Sequence, residues 1–533
     1  MMIDTLPAPL HQGRSTSPVA WIWVGVAGAA GVATGAGFAP AGWWAATVLG
    51  VSGLAVAARQ TRTLPRTTAA GLAFGLGLTG PTLAWMSVIH VGAAIGLILV
   101  MSGWYALLGA LLHLANRSRW WPLLGAGAWL AIEYAAARVP FGGFGWLRLG
   151  YTMIDGPLAG LLPLAGVAGT SLAVALAGNL IGWLIEERSR RRLIATTVST
   201  LLIGTVAAAG DAIPPAPADK AATVGWVQGG APGGGVYGLG PPRTITTNQA
   251  RATNDLAADI AAGREPVPDF IVWPENSTDL DPGTDPHTRQ LVDSALASIQ
   301  KPILIGAILD GPGPDQRRTA TQWTQPDGQV GPTYTKRSIV PFGEWIPYRD
   351  ILLPLIAELR YVGRQSVAGT EPGLLDVRLA DGTPVRIGVL ACFDVAFDPV
   401  VHDLADAQLL IVQSSNAMYQ GTTQIEQQFA ITRARAAELR REIMAVTTSG
   451  ISGLIDPYGR TTMRDTGPEA ARGVEQLPIR TAATPATWLA LPLEQAVAAV
   501  TTAWLLGLAV TRRRQKPPAE QATHALDHSR TQP

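Results

Sequence analysis

Cysteine is almost missing. Cys392 is the only one in 533 residues, so no disulfide framework holds the fold, and any part outside the cytoplasm must be stable without one. Charge is scarce as well: Asp, Glu, Lys and Arg make up 15% of the chain, and the formal net charge is +1, which excludes a globally basic nucleic-acid binder. The 7 histidines include no pair at metal-ligand spacing. No Gly-x-Ser-x-Gly elbow offers a serine nucleophile, and Gly233-Gly234-Gly235 lacks the following Gly-Lys-Ser/Thr of a phosphate loop. The N-terminus does not read as a cleavable signal peptide, because the first apolar run starts near Ala20 after a polar lead and another follows at once.

What is abundant is apolar. Hydrophobic residues reach 48% with 17 Trp, the signature of a membrane protein with interfacial aromatics, and the length calls for at least two domains. Eight apolar segments stand out, near 20–34, 42–58, 68–86, 92–114, 121–137, 161–185, 193–209 and 488–510. Basic clusters follow the second (Arg59, Arg62, Arg66), the fourth (Arg117, Arg119), the sixth (Arg188, Arg190, Arg191, Arg192) and the eighth (Arg512, Arg513, Arg514, Lys516). By the positive-inside rule these are cytoplasmic, with both termini inside and the long polar insert outside. Buried helices of a large soluble protein would not space their arginines this way. The expected organisation is a membrane domain of seven spans over 1–210, an extracytoplasmic domain over 211–486, an eighth span over 487–511 and a disordered cytoplasmic tail over 512–533.

Within the insert, strand-length apolar runs at 223–228, 270–273, 303–308, 387–390, 409–413 and 444–448 alternate with helical patterns at 244–262, 287–299 and 423–441, which predicts an α/β domain. Three strand ends carry chemistry. Phe270-Ile271-Val272-Trp273-Pro274 leads into Glu275; Tyr334-Thr335-Lys336 precedes Pro341-Phe342-Gly343-Glu344; and Gly388-Val389-Leu390-Ala391 runs into Cys392-Phe393-Asp394. A lone cysteine is often a small buried hydrophobe. A Glu, a Lys and a Cys in this order also make a base, a cation and a nucleophile.

That order resembles the nitrilase superfamily, and the Trp-Pro-Glu around Glu275 and the Lys336 to Glu344 spacing resemble its membrane-bound apolipoprotein N-acyltransferase family. The resemblance implies a multi-pass α-helical membrane domain joined to an α-β-β-α sandwich, with catalytic Glu275, Lys336 and Cys392. Glu275 would act as general base, Lys336 would stabilise the oxyanion, and Glu344, Asp394 and Phe393 would support them. Gln228-Gly229-Gly230 matches the family's Val-Gln-Gly signature, with Tyr237 where the family carries a tryptophan. The outer loop Phe144-Gly145-Trp146 matches its Gly-Phe-Pro-Trp, with Gly145 in the proline's place. Two motifs depart further: Cys-Phe-Asp replaces Cys-Tyr-Glu, and Ser415-Asn416-Ala417-Met418-Tyr419-Gln420 replaces Ser-Asn-Asp-x-Trp-Phe. Tyr237, Phe144, Trp146, Asn416 and Tyr419 would then contact substrate. The implied reaction moves an acyl chain from a phospholipid donor through a Cys392 thioester to a diacylglyceryl-modified apolipoprotein, with no cofactor, metal or nucleic acid, in a monomer. The same residues also fit a membrane-tethered carbon-nitrogen hydrolase, and the spans alone would fit a non-catalytic scaffold for a glycosyltransferase that uses polyprenyl phosphate. Two features are left without chemistry: Glu133, inside the fifth segment, which would snorkel or pair with Arg138, and the charges of Arg433 to Arg440, a stretch that resembles the family's helix after the nucleophile and equally fits a solvated helix face.

Overall fold

The computed structural model describes residues 19–515; the N-terminal lead and the tail from Lys516 lie outside the described residues. Seven helices precede the first strand: α1 (Val19–Gly35), α2 (Trp44–Gln60), α3 (Leu64–Leu83), α4 (Val91–Ala115), α5 (Trp121–Ala136), α6 (Leu162–Glu186) and α7 (Arg190–Asp211). They follow the first seven apolar segments to within a few residues. Of 22 residues in α7 only Thr196, Ala207 and Gly210 are buried, and an apolar helix left so open has its matching solvent in lipid. In α5, by contrast, 12 of 16 residues are buried, so its surroundings are other helices.

Thirteen strands follow in two sheets. The first contains β1 (Ala221–Gln228), β2 (Phe270–Val272), β3 (Ile303–Asp310), β4 (Gln316–Thr324), β5 (Val330–Thr335) and β6 (Gln365–Ser366). The second contains β7 (Leu374–Arg378), β8 (Pro384–Ala391), β9 (Leu409–Ser414), β10 (Ile443–Thr447), β11 (Ser452–Ile455) and β12 (Thr461–Asp465). β13 (Ala471–Pro478) returns to the first sheet and pairs antiparallel with β1 along its whole length. The order is β13-β1-β2-β3-β4-β5 with β6 on β4, against β12-β11-β10-β9-β8-β7. Five helices lie in the connections: α8 (Thr244–Ala261), α9 (Pro286–Ile299), α10 (Arg349–Leu355), α11 (Asp398–His402) and α12 (Gln424–Leu439).

Strand alternation sorts the layers. Phe270, Val272 and Leu304 face Ile387, Val389, Ile411 and Met444 between the sheets, while Ile271, Trp273 and Ile305 face Ala252, Leu256, Val292 and Leu296 of α8 and α9. On the far side of the second sheet, Leu390, Leu410 and Val412 pack with Phe429 and Ile431 of α12 in a cluster that continues into the membrane helices through Trp129, Leu149 and Val167. The layers therefore run α, β, β, α and then the helical bundle. The final helix α13 (Ala486–Gln515) packs on α5 and α6.

Five stretches, Leu64–Val88, Val91–Ala115, Ala159–Glu186, Arg190–Asp211 and Ala486–Thr511, are long and apolar enough to cross a membrane, and Trp21–Gly35 is a shorter apolar helix. The fold differs from the sequence reading mainly toward the edges of the sheets. β4 to β7 and β11 to β13 show no continuous apolar run: the outer strand Thr461-Thr462-Met463-Arg464-Asp465 alternates half-buried with exposed residues, and β4 and β11, one place further in, carry Gln316-Arg317-Arg318-Thr319 and Ser452-Gly453. At the C-terminus the backbone stays helical to Gln515, beyond the expected end of the span at 511.

Candidate active site

Both sheets supply the site. Glu275 follows β2 and Lys336 follows β5 in the first sheet, while Cys392 follows β8 in the second. Lys336 Nζ donates to Glu275 Oε1 at 2.9 Å and to Glu344 Oε1 at 3.0 Å. The remaining oxygens are also used: Ser415 N–H donates to Glu275 Oε2 at 2.9 Å, and Val340 N–H donates to Glu344 Oε2 at 2.7 Å. Lys336 and Glu275 are 2% and 3% exposed, so the pair lacks water, and removing one partner would strand the other charge at a cost of about 3–5 kcal/mol. A buried glutamine locks the sheets together just behind. Gln413 of β9 donates to the carbonyls of Trp273 at 2.5 Å and Leu304 at 3.1 Å.

Cys392 is half-buried and sits at φ 49°, a left-handed conformation that a residue with a Cβ seldom adopts. The chain turns there from β8 into a short 3-10 turn, Cys392–Ala396, which leaves the thiol at the strand end. Burial pushes the thiol above its ordinary pKa; Glu275 adds to the rise and Lys336 opposes it. Glu275 is also lifted, first by burial, against Lys336 and with Glu344. For Lys336 burial works against the charge, but Glu275 and then Glu344 outweigh it and hold the ammonium charged. The thiol thus keeps its proton at rest, beside a carboxylate whose proton affinity is raised.

Asp394 holds the turn. Its carboxylate accepts from Ala391 N–H at 3.0 Å, Tyr334 O–H at 2.8 Å and Ser338 N–H at 2.9 Å, and among these hydrogen bonds none comes from Lys336. It therefore pins the Cys392 turn to the segment that carries Lys336. Phe393 meets Phe144 at 5.8 Å and Trp146 at 6.1 Å between ring centroids. Trp146 is tied further by its Nε1–H to Gln427 Oε1 at 2.8 Å, an oxygen that Trp85 Nε1 shares at 3.0 Å. At Gly145 an added Cβ would lie 2.5 Å from Ala396 O, so the outer loop touches the Cys392 turn backbone to backbone.

The other expected contacts divide. Asn416 is buried, and its Oδ1 has no hydrogen-bond partner among the described residues. Tyr419 packs edge-on against Trp85 at 5.4 Å, and its hydroxyl is pushed up by burial and then by the nearby Cys392. Tyr237 stands apart, 76% exposed and facing Tyr361 at 6.0 Å, although its loop rests on the 416–420 segment through Gly235 N–H to Met418 O at 2.8 Å. The solvated-face reading of 433–440 is overturned: Arg435 and Glu438 are both 0% exposed. Glu133 pairs with Arg148 at 3.4 Å, and Arg138 pairs instead with Glu494 at 3.3 Å. Tyr334, Gln413 and Gln427 were not singled out from sequence, where nothing separates them from other polar residues.

A two-sheet sandwich with a strand-end Glu, Lys and Cys, set on an apolar helical bundle, defines a membrane protein with a nitrilase-superfamily domain. The comparisons with known proteins agree. Residues 30–180 match the apolipoprotein N-acyltransferase N-terminal domain, and residues 261–474 match the carbon-nitrogen hydrolase family. An apolipoprotein N-acyltransferase of Mycolicibacterium smegmatis is 31% identical over 507 residues, covering 90% of this chain and 84% of that protein. One of Nitrosomonas europaea is 28% identical over 452 residues, covering 81% and 86%. Among solved structures, an amidase of the nitrilase superfamily from Nesterenkonia AN1 covers 49% of this chain and 93% of its own at 17% identity and a TM-score of 0.37, too distant to add to what the sheets themselves establish. The chain belongs to the apolipoprotein N-acyltransferase family.

The three bonds to Asp394 predict the effect of replacing it. Asp394→Asn keeps the shape but points an N–H at one of the donors, so thermal unfolding should show a loss of about 1–3 kcal/mol. Asp394→Ala should lose more, because all three donors are then left without their acceptor. Equal stability of the parent and both variants would show that the turn does not depend on this carboxylate.

Proposed function

We propose that this protein transfers an acyl chain from the sn-1 position of a membrane phospholipid, through a thioester on Cys392, to the α-amino group of the diacylglyceryl-cysteine that begins an apolipoprotein. The observation that carries the reading is the buried Glu275–Lys336–Glu344 cluster beside Cys392, in a turn packed directly on the loop of the membrane domain. Family membership supports the same conclusion. In the first half-reaction Glu275 takes the thiol proton as sulfur attacks the ester carbonyl. Lys336 stabilises the oxyanion with a backbone N–H of the 392–396 turn. Collapse of the intermediate expels the lysophospholipid oxygen, which takes the proton back from Glu275 and leaves the thioester. In the second half-reaction the acceptor amine attacks that thioester, gives its proton to Glu275, and Cys392 leaves and is reprotonated. Every proton is handled by a protein group, so the ping-pong cycle calls for neither metal nor nucleotide.

Asn416, with its open carboxamide oxygen, and Tyr419 suit a substrate-facing wall, and Phe144 and Trp146 form its floor under Phe393. Tyr237 would reach only a part of the substrate that extends beyond the cleft. The arginine clusters support eight spans with both termini cytoplasmic and the sandwich on the extracytoplasmic face of the plasma membrane, where both lipid-anchored substrates are in reach. A membrane-tethered hydrolase would use the same three residues with water as acceptor and release a free fatty acid.

Four outcomes are expected. Cys392→Ala and Cys392→Ser should both abolish N-acylation of a lipopeptide, and the parent given phospholipid alone should gain one acyl mass on Cys392 by intact mass spectrometry; acylation surviving in the alanine variant would sink the mechanism, and free fatty acid without N-acyl product would favour the hydrolase. Because Glu275 must be deprotonated and its pKa is raised, kcat/KM should fall as pH drops through a value above the usual carboxylate range of about 4. Glu344→Gln removes a charge that raises Glu275 and frees Lys336 to serve it, so this acid limb should move to lower pH; a shift upward would contradict the assignment. Topology reporters placed after Arg192 should read cytoplasm and one near Ala222 the outer side, and the reverse pattern would overturn the orientation.

A further inference from the structure

The nucleophile turn is gripped from behind by an arginine that the chemistry above does not use. Arg435 of α12 is 0% exposed and donates Nε–H to the carbonyl of Val395, inside the turn that starts at Cys392, at 2.8 Å. The rest of its guanidinium is fixed on three sides: Nη1 to Glu438 at 2.5 Å, Nη2 to Asp398 at 2.7 Å and Nη2 to the Tyr151 hydroxyl at 3.0 Å. A planar fork held at that many points has no freedom to rotate, so its Nε–H is aimed at the turn. Asp398 passes the restraint on. Its second oxygen takes Arg148 Nη1 at 2.5 Å, and Arg148 Nη2 reaches Glu494 of α13 at 2.5 Å. The turn needs such support, because Cys392 sits at a positive φ that local sterics disfavour and that persists only where the surroundings impose it.

We infer that Arg435 is a positioning residue for the nucleophile: through Val395 it holds the Cys392 turn in register with Glu275 and Lys336, and through Asp398 and Arg148 it ties that register to the membrane domain. The inference rests on Cys392 being the nucleophile of the proposed reaction. Two facts separate this role from ordinary burial of an ion pair. The Nε bond goes to the turn rather than to a carboxylate, and the partners belong to four different parts of the chain, namely the outer loop (Tyr151), the Cys392 turn (Val395), α11 (Asp398) and α12 itself (Glu438).

Cys392 is the only cysteine, so its reactivity can be read without any acyl substrate, from the rate at which iodoacetamide adds one mass to the full-length protein in detergent. Arg435→Lys keeps the charge for Asp398 and Glu438 but cannot at the same time donate sideways to Val395. The alkylation rate of Cys392 should fall at least fivefold, and kcat for lipopeptide N-acylation at least tenfold, with KM for phospholipid within twofold. A purely structural arginine would lower Tm and leave both rates as they were, so alkylation and kcat within twofold of the parent would overturn the inference. If Arg435→Lys does not yield folded protein, Asp398→Asn, which keeps the shape but loosens the outer edge of the guanidinium, is judged by the same two criteria. Should the parent itself form no N-acyl product, the acyltransferase reading falls, and the alkylation comparison alone decides whether Arg435 positions the cysteine.

Discussion

An ammonium group taken out of water must find opposite charge close by, and Lys336 finds it twice, in Glu275 and Glu344. Desolvation of each ion costs several kcal/mol, which only close, fully bonded partners offset. This fixes more than one side chain. Glu275 follows β2 and Lys336 follows β5, with β3 and β4 between them in the sheet, so the ends of strands that are not neighbours must converge on one point. The free oxygens of the two carboxylates then reach for backbone N–H groups at Ser415 and Val340. Through Ser415 the cluster also touches the second sheet, where Cys392 stands.

The second constraint is where the helical layer of that sheet lies. In an isolated sandwich α12 would have water on its outer side. Here the outer side meets the bundle, so Gln427 bonds Trp85 and Trp146 and the same helix directs Arg435 inward to the Cys392 turn. Aromatic packing of Phe393 on Phe144 and Trp146 joins the two parts again within a few residues of Cys392. The edge of the sandwich that carries the thiol is therefore the edge that rests on the membrane domain. A substrate held in a bilayer would approach from that side.

Much of this is legible in the sequence. Apolar runs marked the seven helices before the first strand and the last helix because lipid and buried bundle surfaces both demand continuous hydrophobicity, and the six central strands showed the same way because they are covered on both faces. The order of Glu275, Lys336 and Cys392 at strand ends pointed to a candidate site, and the fold brings these three residues together, since strand ends are where a fixed backbone meets an open cleft. The strands at and next to the sheet edges were missed because their apolar residues do not run continuously, and Tyr237, expected among the substrate contacts, meets only Tyr361 among the rings of the described residues.

By itself the sequence determined the apolar segments, the alternation of strands and helices, the lack of any disulfide and the identity of the one thiol, because each of these depends on residues near one another along the chain. The tertiary structure alone decided which carboxylate serves which cation. Arg435 and Glu438 have the spacing of a solvated helix face and lie fully buried; Glu133 stands five residues from Arg138 and takes Arg148; Cys392 adopts a left-handed backbone that nothing in its own side chain calls for. Charges pair across whatever space folding leaves between them, and that space is set by the packing of sheets and bundle, not by distance along the chain.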